Sequence, residues 1–101
     1  MATVRLVINC RVKAGRYADF LEGQKAFKKV TARLGASLVV NRQVVGPESG
    51  NIVVVVVFPD WAAYAKTQSD PELVGLLDAM RNNRDPAFDG YTASLNEEVA
   101  L

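Results

Sequence analysis

No histidine occurs anywhere in the 101 residues. That absence removes Ser–His and Cys–His nucleophile pairs, His-based zinc sites and histidine-ligated haem together. Cysteine is nearly missing as well. Cys10 is the single one, so no internal disulfide can form, and with no base beside it the thiol reads as a small buried hydrophobe. Charge of either sign is not in excess: 12 Lys and Arg against 11 Asp and Glu leave +1, no global field to draw nucleic acid or an acidic membrane. No apolar run approaches the roughly 18 residues that suggest a membrane span. Gly-rich phosphate loops are also lacking; Gly15, Gly35, Gly46 and Gly50 each stand alone at an element boundary. The N-terminal stretch sets Arg5 and Asn9 where a signal peptide keeps apolar residues, and no small-residue cleavage site follows. A cytoplasmic location is therefore expected.

What the chain does have is apolar strand. Residues 52 to 58 read Ile-Val-Val-Val-Val-Val-Phe. A strand with one wet face alternates apolar and polar side chains, because successive Cβ atoms point to opposite faces. This run has no polar position, so both of its faces demand cover. One domain spanning residues 1–101 can lay a single layer of helices over one face. The simplest cover for the other is a second copy of the chain.

The remaining pattern supplies the frame. Residues 3 to 13 alternate, with Val4, Leu6, Ile8, Cys10 and Val12 on one face and Arg5, Val7, Asn9 and Arg11 on the other. From Arg16 to Leu34 the period turns helical, with Phe20, Phe27, Val30 and Leu34 as the apolar stripe, Tyr17 and Leu21 widening it, and Gly35 as terminator. Residues 37 to 45 read as a second strand, and residues 46 to 51 as the turn before the valine run. Asp60 caps a helix that is interrupted near Ser69-Asp70-Pro71-Glu72; Pro71 suits the first turn of a new segment, striped by Leu73, Leu76, Leu77 and Met80. Residues 88 to 95 read as the last strand.

The order β-α-β-β-α-β predicts an α+β, ferredoxin-like domain: a four-stranded antiparallel sheet in spatial order 4-1-3-2 with two helices on one face. Strand polarity agrees with that order. The most apolar strands, the first and third, take the centre, and those carrying Asn41, Arg42, Gln43, Thr92, Ser94 and Asn96 take the edges. The same frame serves RNA-recognition domains, but the first strand has no stacking aromatic and the third has only Phe58 at its end. It also serves heavy-metal carriers, which need a Cys-x-x-Cys loop that one cysteine cannot supply.

Arg11-Val12-Lys13-Ala14-Gly15-Arg16 leading into Ala18-Asp19-Phe20-Leu21, then Gly35-Ala36-Ser37, Phe58-Pro59-Asp60-Trp61-Ala62-Ala63-Tyr64 and Ser69-Asp70-Pro71-Glu72-Leu73, resemble the dimeric α/β-barrel superfamily, the group of the antibiotic-biosynthesis-type monooxygenases. The resemblance implies sheets paired face to face in a homodimer and a ligand cleft between sheet and helices in each subunit. Enzymes of the group often carry a histidine on the second helix; the corresponding positions here are Lys66, Thr67 and Gln68. The departure sets the haem-degrading branch aside and leaves branches that oxidise aromatic substrates with no metal and no cofactor, through Asn, Trp and Tyr side chains.

Two readings of the site follow. In the first, Leu6, Ile8, Phe20, Phe27, Trp61 and Tyr64 line a cleft for a small apolar or aromatic molecule, without assigned catalysis. In the second, Asn9, Trp61 and Tyr64 are catalytic: an amide orients a phenolate and O₂, and the indole holds a planar substrate. Strand alternation opposes the second, because it sets Asn9 opposite the Leu6 and Ile8 face, and Trp61 in a helix's first turn also suits packing. A structural or regulatory interaction domain is the third reading. Tyr17, Tyr64 and Tyr91 are rim or ligand tyrosines, and Arg42 is a clamp or an edge charge. Lys25, Lys28, Lys29 and Arg33 form a basic stripe that suits a solvated outer face or an anionic partner. The carboxylates fall at caps and outer faces, with no pair spaced for acid–base work.

Overall fold

The computed structural model describes residues 2–101, leaving Met1 outside. Its elements run β1 (Val4–Val12), α1 (Tyr17–Arg33), β2 (Ser37–Arg42), β3 (Ile52–Phe58), α2 (Trp61–Ser69), α3 (Pro71–Arg81) and β4 (Phe88–Glu97). The strands form one antiparallel sheet in the order β2-β3-β1-β4, which is the ferredoxin-like order expected from strand polarity. The second helical stretch is two helices. Asp70 ends α2 in extended backbone, Pro71 opens α3, and the Asp70 carboxylate accepts from the Leu73 N–H at 3.0 Å. Asp60 caps α2 in the same way through the Ala63 N–H at 2.8 Å.

The ends of β2 and β4 differ from expectation. β2 stops at Arg42 rather than at residue 45 because Gln43 and Asn51 already close the hairpin, which leaves Val44 and Val45 76% and 89% exposed. β4 runs on to Glu97 because it pairs along β1 as far as Val4. A register shift between Arg11 and Val12 leaves Asp89 unopposed, a bulge beside the start of β4. Tyr17 does not join the helical stripe's buried part: its ring is exposed, with the Arg42 guanidinium 5.1 Å from its centre.

The valine run shows its two faces separately. Ile52, Val54, Val56 and Phe58 are buried in the core with Val4, Cys10, Phe20 and Leu38. Val53, Val55 and Val57 are only half-buried, since no helix or strand among the described residues lies over them. Their rows in the sheet are Asn41–Val53–Asn9–Thr92, Val39–Val55–Val7–Ser94 and Ser37–Val57–Arg5–Asn96. An apolar centre with a polar rim is the result.

Candidate functional site

The helices do not close tightly on the inner face of the sheet. A cleft of about 170 Å³ remains between it and the helical layer. β1 presents Leu6, Ile8 and Cys10 to it by alternation, β3 presents Val54, Val56 and Phe58, and α1 adds Phe20 and Phe27. Leu73, Leu77 and Met80 come from α3, the first two four residues apart on one helical face, while Phe88 and Tyr91 close the β4 side. Only Leu73 of α3 is fully buried, so this helix covers the cleft loosely.

Polar groups in the lining are few and none is charged. The Thr31 hydroxyl donates to the Phe27 carbonyl at 2.9 Å, and the Thr67 hydroxyl donates to the Tyr64 carbonyl at 2.6 Å. Both protons are thereby committed to the helix backbone. Gln68 donates its amide N–H to the Thr67 hydroxyl at 3.1 Å, which leaves the Gln68 carbonyl oxygen as an acceptor. Gln24 supplies a second amide. Burial pushes the Cys10 thiol above its ordinary range, so the sulfur stays protonated and acts as apolar lining.

Leu6, Ile8, Phe20 and Phe27 therefore stand together around the cleft, and Trp61, Tyr64 and Asn9 stand outside its lining. Trp61 is 45% exposed, with its indole N–H on the Glu97 carboxylate. Its ring meets Tyr64 edge-on at 5.9 Å, and Tyr64 meets Phe58 edge-on at 5.4 Å, so the two rings stack behind the Phe58 wall of the cleft. Asn9 lies on the outer face and accepts a 2.8 Å hydrogen bond from the Asn51 amide. It is five residues along β1 from Val4, which pairs with Glu97, a strand distance of about 17 Å. The structure does not bring Asn9 and Trp61 together. Of the lining that sequence reasoning passed over, Val54 and Val56 follow from alternation and Leu77 and Met80 from the helical stripe. Gln24 and Gln68 carry no pattern that would single them out.

Two charged clasps hold α3 over the cleft. At its start Arg33 reaches Asp70 at 2.8 Å and Glu72 at 3.1 Å. Beyond its end Asp85 takes Arg16 at 2.8 Å and Lys13 at 3.2 Å. The Leu73 N–H and Arg33 hold the Asp70 carboxyl below its usual range, and Lys13 and Arg16 do the same for Asp85. A carboxyl that titrates lower in the folded chain stabilises the fold above the ordinary Asp range, and that contribution disappears as pH falls through its folded value. Asp85→Asn should melt below the wild type at about pH 7, and the two melting temperatures should converge by about pH 2. A gap that persists in acid would assign the loss to packing instead.

No family profile matches the chain, and no curated protein matches it in sequence. Solved structures do. A point mutant of SnoaB, a cofactor-independent oxygenase from Streptomyces nogalater, superposes with a TM-score of 0.74 at 18% identity, covering 98% of this chain and 95% of that one. A Nitrosomonas europaea protein provisionally assigned as an antibiotic biosynthesis monooxygenase gives 0.71 at 10% identity over 96% and 90%. A nipsnap family protein of unknown function from Agrobacterium tumefaciens gives 0.61 at 16% identity over 95% and 87%. The chain thus shares a ferredoxin-like fold with these proteins, one of which is of unknown function. No helix among the described residues is long and apolar enough to cross a membrane.

Proposed function

We propose that the protein is a homodimer that binds one small, uncharged, apolar or aromatic molecule in each sheet–helix cleft. The observation that carries this reading is the cleft itself: about 170 Å³ of space with no charged side chain in its walls. An apolar cavity of ~150 Å³ suffices to hold benzene, so one ring of a ligand fits within the cleft and a second would lie toward its open side. The amides of Gln24 and Gln68 give such a ligand its polar address; everything else offers contact area. The dimer reading rests on Val53, Val55 and Val57, the half of the valine run that the chain leaves uncovered.

Calorimetric titration with neutral benzene- and naphthalene-sized compounds tests the binding. Wild type should bind at micromolar to submillimolar concentration, and Leu77→Trp, which places an indole in the cleft, should bind at least about tenfold more weakly. Equal affinity in the two proteins would overturn the reading. Oxygenation of a phenolic substrate without cofactor is the second reading, supported by the likeness to SnoaB. Its catalytic candidates are Asn9, Trp61 and Tyr64, and their separation favours binding over catalysis. Oxygen uptake with hydroquinones or anthrones, lost in Asn9→Ala and Trp61→Phe, is the result that would reverse that preference. A structural or regulatory domain is the remaining reading, and it requires that no small molecule enter the cleft.

A further inference from the structure

A threonine hydroxyl carries one proton and gives it once. The Thr31 proton goes to the α1 backbone, with the Phe27 carbonyl at 2.9 Å and the Lys28 carbonyl at 3.1 Å. The Thr67 proton goes to the Tyr64 carbonyl at 2.6 Å. Both residues are only 4% exposed, which shelters these bonds from water. With its proton spent, Thr67 Oγ meets the Gln68 side chain as an acceptor alone, so the 3.1 Å contact belongs to the Gln68 amide nitrogen. The opposite orientation of the amide would set lone pair against lone pair. Thr67 therefore decides that the nitrogen end of Gln68 is anchored and that the oxygen is its free end. The lining groups with a fixed hydrogen-bond sense, Thr31, Thr67 and Gln68, all have lone pairs to offer. Against them stand the Cys10 thiol, a weak donor, and Tyr91, which is more than half exposed. The Gln24 amide, held by no other side chain among the described residues, can present either end to a ligand.

We propose that the cleft selects, among neutral aromatic molecules, those that carry an N–H or O–H. Gln68 Oε1 is the accepting atom, and Thr67 is the positioning residue that keeps it free to accept. The inference rests on the ligand-binding reading of the cleft and narrows it. A molecule whose polar atoms only accept, an ether for example, brings lone pairs to lone pairs. It gives up its hydrogen bonds to water and gains none in return. A site built to hydrogen-bond one group rejects an isostere lacking that group more strongly than an apolar wall rejects a change of size. Gln68 is itself exposed, at the rim of the cleft, where water can stand in for part of a missing contact. The discrimination is therefore several-fold, and it acts on the part of the ligand nearest the mouth.

Indole and benzofuran test this, because they share one shape and differ by an N–H in place of an ether oxygen. Apolar walls alone would favour the less polar benzofuran. In calorimetric titration wild type should instead bind indole about three- to tenfold more tightly. Gln68→Met keeps the length of the side chain and removes the acceptor. Indole should then fall to about the benzofuran affinity, while benzofuran changes by less than about twofold. Thr67→Val frees the Gln68 amide to turn, so the indole-to-benzofuran ratio should fall to near unity, and Thr67→Ser, which keeps the hydroxyl, should retain the wild-type ratio. A general loosening of α2 weakens both molecules alike and leaves the ratio where it was. In proton NMR the indole N–H resonance should move downfield on binding wild type and less on binding Gln68→Met. Equal affinity of wild type for the two molecules, or a preference that survives Gln68→Met, would overturn the selection and leave the ligand-binding reading standing. Failure of both molecules to bind would overturn the two together.

Discussion

Phe58→Ala is expected to cost about 3–5 kcal/mol of stability, as ring deletions in packed cores do. Phe58 is 2% exposed, one of the two most completely buried large side chains. Its ring joins the sheet to α2 through Tyr64 and forms one wall of the cleft. A domain of this size has about 5–15 kcal/mol in total, so the loss leaves the variant marginal, measurable as a collapse of the urea midpoint. Tyr64→Phe keeps the ring contact and serves as the control; it should unfold close to wild type. A Phe58→Ala loss below about 1 kcal/mol would mean that neighbouring side chains collapse into the space, which a tightly packed Phe58 does not allow.

Val55→Asp is expected to leave the fold intact and convert the dimer to monomer. Val55 sits at the middle of the uncovered face, in a row with Val39, Val7 and Ser94. In a monomer an aspartate there points into water and costs little. Between two sheets it is a charge without a partner, at a cost of several kcal/mol for each copy. Sedimentation equilibrium across micromolar concentrations separates the outcomes. Wild type should be twice the 11.0 kDa chain mass, and the variant should run at the single mass with an unchanged circular dichroism spectrum. Lys66→Asp, on the exposed side of α2, should remain dimeric.

The fold was legible because its signals are local and repeated. Alternation in β1, the helical stripe of α1, the caps at Asp60 and Asp70 and the polarity of the edge strands all point to one strand order, and the sheet has it. Boundaries were less legible where tertiary pairing decided them. Nothing in Gln-Val-Val announces that the hairpin closes at Gln43, and nothing in Leu-Asn-Glu announces that β1 carries β4 to Glu97. The valine run implied two covered faces; the structure shows one covered and one half-open within the chain. The cleft was legible in part, since Leu6, Ile8, Phe20 and Phe27 point to it by periodicity alone. Gln24 and Gln68 were not, because a glutamine on a helix looks the same in sequence whether it borders a cleft or open water. Asn9, Trp61 and Tyr64 came together as a set from family likeness, and no periodicity places an outer-face residue at one end of β1 beside a helix at the other.

The most direct test of the ligand-binding account is a methyl-resolved NMR titration with a neutral naphthalene-sized compound. The methyls of Ile8, Val54, Val56 and Leu77 line the cleft and should shift together and saturate, while those of Val53, Val55 and Val57 on the other face stay in place. Shifts confined to the outer valines, or no saturable shift at any inner methyl, would contradict it.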